Sequence, residues 1–170
     1  MAKQPPLTAE QRAMLDALGP FINVSAAAAS LLMTLVGLLF FVPLWLAEGR
    51  AWTGGSVQGL WLLAPAMLVL LFASSRVGIR RQLRPLALVA AAVGAYVGGA
   101  PRVRGRLRRG WGATMEFEHE LGLVRVVAAR GQGTRPDLYL VVGEREYRFR
   151  ERRAPLPEVP EALRTVGLTP

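Results

Sequence analysis

Two stretches, VSAAAASLLMTLVGLLFFVPLWLA at residues 24–47 and VQGLWLLAPAMLVLLFASS at 57–75, contain no charged residue, and only Glu48 and Arg50 between them are charged. Uncharged apolar runs of about 18 residues or more read as membrane-spanning helices. A connection as short as 48–56 makes the two helices antiparallel neighbours. Trp45 and Trp52 flank that turn, where an aromatic belt would sit. Pro65 lies inside the second run and predicts a kink, because it removes one backbone donor. The run begins after residue 20 and is too long for a signal peptide, so the expectation is retention in the membrane.

Working outward from this hairpin, the chain is segregated. It has 170 residues, 52% of them hydrophobic, 19% charged, and a net charge of +9. Arg76, Arg80, Arg81, Arg84, Arg102, Arg104, Arg106, Arg108 and Arg109 lie in a segment without a single acid, and these nine account for the whole net charge. Cations packed beside a span are explained by the positive-inside rule and by anionic lipid headgroups. These nine are the candidate lipid contacts, and nucleic acid is disfavoured, since only Trp111 interleaves the basic cluster for base stacking.

The segment 86–100 is apolar and uncharged but only about 15 residues, roughly 22 Å as a helix against a bilayer core of about 30 Å. Two spans place eleven basic residues on the side of both termini against Arg50 alone; three spans divide them evenly, six against six. The lopsided count is the one the positive-inside rule prefers, so 86–100 reads as an interfacial or bundle-packed helix. The expected location is the inner (cytoplasmic) membrane, multi-pass, with the amino end and the C-terminal domain cytoplasmic.

Small residues recur on two helical faces. Ala26, Ser30 and Thr34, with Gly37 nearby, form one; Ala90, Gly94 and Gly98 form the other. Such faces let a second backbone approach closely, which makes them candidate helix-packing surfaces, although alanine and serine also serve as filler. Before the spans, Thr8-Ala9-Glu10-Gln11 has capping-box spacing and opens a short helix that Gly19-Pro20 stops.

From residue 101 the period changes to two. Val103, Gly105 and Leu107 alternate with arginines, Met115 and Phe117 with glutamates, and 123–129 and 138–142 are short apolar runs. These read as four or five strands in a small barrel or curled sheet. Gly143 is placed for the first central position of a two-residue hairpin turn. The proline-rich tail ends in a short helix near 161–166, stopped by Gly167. The expected division is 1–20 as an N-terminal segment with a short helix, 21–100 as the membrane domain, 101–153 as a small all-β domain, and 154–170 as the tail.

The run Tyr139-Leu140-Val141-Val142-Gly143, then Tyr147-Arg148-Phe149, behind two spans and an arginine-rich connector holding Val103 and Gly105, resembles a class of small bacterial membrane proteins. Those have a transmembrane hairpin and a short β-rich cytoplasmic domain, generally without assigned function. The resemblance implies the architecture and a bacterial origin, and carries no site residue.

Catalytic groups are sparse. There is one histidine, His119, no cysteine, and only Asp16 and Asp137 among aspartates. Thiolate chemistry is excluded, no histidine pair is available for a metal, and neither a Ser-His-Asp set nor a phosphate loop is present. Within Glu116-Phe117-Glu118-His119-Glu120 the glutamates share one strand face and His119 the other, so they do not converge. The sequence therefore points to a non-enzymatic membrane subunit, structural or accessory, without cofactor or metal, whose partners are other membrane subunits. The alternative is a membrane-anchored binding module whose arginine collar reads anionic lipid or an acidic ligand.

Overall fold

The computed structural model describes residues 6–48, 57–106, 112–130, 136–151 and 154–168, without side-chain detail for 40–48, 57–64, Arg106 and Arg130. The turn between the apolar runs, Trp52, Arg108 and Arg109 lie outside the described residues. Helix α1 (Ala9–Ala17) is followed by α2 (Gly19–Glu48) and α3 (Val57–Val97). Strands β1 (Arg102–Arg106), β2 (Gly112–His119), β3 (Gly122–Arg130), β4 (Pro136–Val142) and β5 (Arg145–Arg148) come next, then a 3-10 turn (Leu156–Glu158) and α4 (Val159–Thr165).

The chain divides into two compact units. One is residues 22–79, which holds most of α2 and the first part of α3. Its large apolar side chains point outward: Leu31, Leu32, Leu39, Val69 and Leu70 are all more than half exposed. Among the described residues one helical segment, Gly19–Leu39, is long and apolar enough to cross a membrane, and only 22% of it is buried in the protein. The core helix of a water-soluble protein would be mostly buried.

The other unit combines residues 1–21 with 80–170. The compact units divide at 79/80, while the span expected as a small all-β domain, 101–153, carries five strands and no described helix. There is no separate third helix, because 86–97 is the end of α3, a single helix of 41 residues. Arg76 to Arg84 do not interrupt it, since arginine is a good helix former, and the helix continues through Pro85 even though proline leaves the Arg81 carbonyl without its usual donor. Leu83, Leu86, Ala87, Val89, Ala90 and Val93 are completely buried in this unit.

The sheet is an antiparallel meander in the order β1-β2-β3-β4-β5, open between β1 and β5 among the described residues, so the barrel is not formed. Register sends Met115 and Phe117, Val124 and Val126, Leu138 and Leu140, and Tyr147 to one buried face. Gly94 is where three elements meet. A Cβ there would lie 3.0 Å from Cε1 of Phe117 on β2 and 3.3 Å from Cε of Met14 on α1. Helix α1 is thus part of this core: Leu15 and Leu18 are buried, and Arg80 Nη2 reaches Asp16 Oδ1 at 3.1 Å. Its start is the capping box, with Gln11 N–H donating to Thr8 Oγ1 at 3.3 Å and Thr8 N–H to Gln11 Oε1 at 3.0 Å.

Turn chemistry closes the unit. Gly143 has φ +58° in the two-residue β4–β5 turn, which the tight hairpin turns require. Gly167 at φ +84° ends α4, and Leu168 N–H donates back to the Leu163 carbonyl at 2.8 Å. Helix α4 is held to β5 by Glu158, whose carboxylate accepts from Glu151 N–H (2.7 Å), Arg150 N–H (3.0 Å) and Tyr147 O–H (3.1 Å). Burial pushes the Glu158 carboxyl up, but those backbone donors, the tyrosine hydroxyl and the Arg150 charge outweigh it and hold the group below its usual value. Burial, then the bond to Glu158, pushes the Tyr147 hydroxyl up.

Two expectations follow. Gly94→Leu should lower the stability of the sheet unit by about 1–3 kcal/mol, the cost of overpacking a filled site. Thermal unfolding of the purified chain, followed by near-UV circular dichroism, reads this; an unchanged midpoint would mean that Phe117 and Met14 yield freely. Because the Glu158 pKa is depressed on folding, its contribution is fully present above the ordinary glutamate value of 4.5 and disappears as pH falls through the lower folded value. Glu158→Gln should remove roughly 1–3 kcal/mol at neutral pH and flatten that acid limb. A variant with the wild-type acid limb would assign the limb to other carboxylates.

Candidate functional site

Two kinds of surface were candidates from the sequence, and the structure places each. On α2, Ala26 and Ser30 are buried, and Thr34 and Gly37 half-buried. Their hydroxyls are satisfied by their own helix: Ser30 Oγ donates to the Ala27 carbonyl at 2.9 Å and Thr34 Oγ1 to the Ser30 carbonyl at 2.8 Å. That arrangement hides hydroxyl groups from an apolar surrounding. The other face splits. Ala90 and Gly94 are buried inside the sheet unit, Gly94 against Phe117 and Met14 of the same chain. Gly98 is exposed, beyond the end of α3, with φ +80°, and its N–H donates to the Gly94 carbonyl at 2.8 Å. It is a helix-ending residue and not a packing one.

The arginines also separate. Arg76 and Arg81 are exposed on α3, Arg80 pairs with Asp16, and Arg84 is half-buried and not a free cation. Arg102 and Arg104 belong to the sheet. On the face opposite the core, Arg102 Nη2 lies 3.0 Å from Glu118 Oε1, and Arg104 Nε lies 2.8 Å from Glu116 Oε2. Arg125 Nε, on β3, approaches Glu116 Oε1 at 3.5 Å. Arg106 ends β1.

This outer face is the feature sequence reading missed. The sequence places the glutamates of β2 on one strand face without a partner, yet the Glu116 side chain is only 7% exposed, covered between guanidinium groups from both neighbouring strands. Farther across, Arg148 Nη2 of β5 reaches Asp137 Oδ2 of β4 at 3.1 Å, and its guanidinium lies 5.9 Å from the Tyr139 ring centre. Charge sign alternates strand by strand: arginine on β1, glutamate on β2, arginine on β3, aspartate on β4, arginine on β5. Glu146 on β5, opposite Val141, is the departure. The signal lay in the sequence as Arg-Val-Arg facing Glu-Phe-Glu, but it becomes legible only once the register is known.

Chemistry does not converge here. His119 Nδ1 accepts from Leu121 N–H at 3.3 Å in the β2–β3 turn, a local structural role. Among the described residues no three of His, Asp and Glu come together as a metal-binding group.

Burial separates the two glutamates of β2 energetically. Glu118, 71% exposed, belongs to the class of surface pairs worth about 0–1 kcal/mol. Glu116→Gln withdraws a buried charge from two cations and should cost about 1–3 kcal/mol, with Glu118→Gln near neutral. Chemical denaturation of the two variants side by side checks the order, and equal costs would show that burial of Glu116 has no energetic weight. No protein-family model matches the chain, and neither a curated protein nor a solved structure matches it.

Proposed function

We propose that this chain is a non-enzymatic, multi-pass membrane protein acting as a structural or accessory subunit of a membrane complex. In this reading α2 and the first part of α3 form an antiparallel hairpin in the bilayer. Both chain ends lie on the cytoplasmic side, as the count of eleven basic residues against Arg50 favours. The supporting observation is the exposure of the 22–79 unit: leucine, valine and methionine side chains stand outward on both helices, which water penalises and hydrocarbon does not. The hydroxyls of Ser30, Thr34 and Ser74 turned onto their own helix backbones fit the same surrounding.

The second reading is an arginine collar on anionic lipid, favoured by Arg76 and Arg81, exposed just beyond the apolar stretch. It ranks below the subunit reading because Arg80, Arg102 and Arg104 already have acids of the same chain beside them.

The natural chain has no cysteine, so single cysteines report topology cleanly. With an impermeant thiol reagent added outside cells, Gly54→Cys should be labelled, and Arg81→Cys and Gln132→Cys should not. External labelling of the Gln132 site would overturn the two-span arrangement. Extraction in mild detergent should then bring down stoichiometric membrane partners, unaffected by His119→Ala. A lone monomer that pellets with anionic liposomes would transfer the assignment to the collar, and loss of the parent complex's activity in His119→Ala with assembly intact would end the non-enzymatic reading.

A further inference from the structure

The open edge of β1 is the most informative unpaired surface in the sheet. Strand β1 pairs with β2 on one side only, and no described strand takes its other side. Gly105 is exposed, and in glycine what is exposed is main chain. A Cβ at Gly105 would collide with the Phe21 ring, so the position keeps its backbone bare for a packing reason. Unpaired N–H and C=O groups along such an edge take either water or another strand. The far edge differs, because β5 has four residues and is followed by the turn that Glu158 ties to it.

Charge decides which strand fits. Arg102 and Arg104 project from β1 onto the outer face, where each meets a glutamate of β2. Both remain largely exposed, at 71% and 72%, so each can also face a neighbour on the open side. Directly opposed charges in adjacent strands stabilise when opposite and destabilise when alike. A second copy of β1 would set arginine against arginine. An acidic strand would continue the sign alternation that already runs from β1 to β5. On the core side the incoming strand meets Val103 and the Phe21 ring seated over Gly105, which suits apolar residues.

We infer that the β1 edge is a docking site for an extended segment of a partner protein in which acidic residues alternate with apolar ones. Main-chain hydrogen bonds along about 17 Å of strand supply binding, and the two arginines select against neutral and basic sequences. The edge is a property of the sheet alone, so it stands or falls separately from the membrane topology.

The test uses the full-length chain in detergent and the acetylated peptide Glu-Val-Glu-Val-Glu. Binding is measured by fluorescence anisotropy, and the contact is mapped by hydrogen exchange. The peptide should bind and slow amide exchange within 102–106. The lysine counterpart, Lys-Val-Lys-Val-Lys, and an acidic peptide with N-methylated alternate amides should each bind at least about tenfold more weakly. Equal binding of the N-methylated peptide would show that cations alone capture it and would overturn strand addition. Protection outside β1, no binding at about millimolar peptide, or cross-linking of β1 to β1 of a second copy would each overturn the assignment.

Discussion

The sheet unit depends on the absence of a side chain at position 94. Phe117 is among the largest fully buried side chains of the unit, and its ring stands at the distance where a Cβ of residue 94 would already be tight. Met14 closes the same spot from α1. Helix, sheet and N-terminal helix therefore share one contact, and the inward residues of β2 are set by it. The consequence is a core assembled from distant parts of the sequence. Residues 1–21 and the end of α3 complete a sheet that begins only at residue 102. A fragment starting at the sheet would lose the contacts that Gly94 and Phe21 make with Phe117 and Gly105.

The opposite face is organised by charge instead of packing. A carboxylate as buried as Glu116 is tolerable only when cations and hydrogen-bond donors surround it. Arg104 and Arg125 supply that from the two flanking strands, and their aliphatic stems provide cover while the charged ends stay wet. Alternating sign also defines register. A one-residue slip of β1 on β2 would send Arg102 and Arg104 into the apolar core and Val103 into the ionic row. The outer face thus reinforces the pairing that the buried face requires, and the two constraints agree.

Local signals were legible in the sequence wherever the chemistry is local. Thr8 and Gln11 announce the capping box, Gly143 the hairpin and Gly167 the end of α4, because each depends on neighbours a few residues away. The destination of 86–100 was not legible. Leucine, alanine and valine without charge satisfy a bilayer and a protein core equally, and hydropathy measures only the avoidance of water. The uncharged runs 57–75 and 86–100 were treated as separate segments, whereas the structure carries α3 through the arginines and Pro85 between them. The arginines of β1 were assigned by position in the chain, beside a span. Their glutamate partners become visible only through strand register, which no count of charge contains.

These placements change where a partner would be sought. A stripe of small residues recruits another helix only if it stays vacant, and here Gly94 is filled by Phe117 and Met14 of the same chain, while Ala26 and Ser30 are already covered. On the first stripe, Thr34 and Gly37 stay half-buried, and nothing stands within 4 Å of where a Cβ of Gly37 would be. What the described part of the sheet unit leaves open is the backbone edge of β1, flanked by arginines that stay exposed although each already meets a glutamate of β2. Such surfaces select partners by hydrogen-bonding register and sign more than by apolar area, and so discriminate strongly at modest buried surface. A subunit built this way would keep its apolar surface for the lipid and its recognition in water, where like-charged edges also hold copies of the same chain apart.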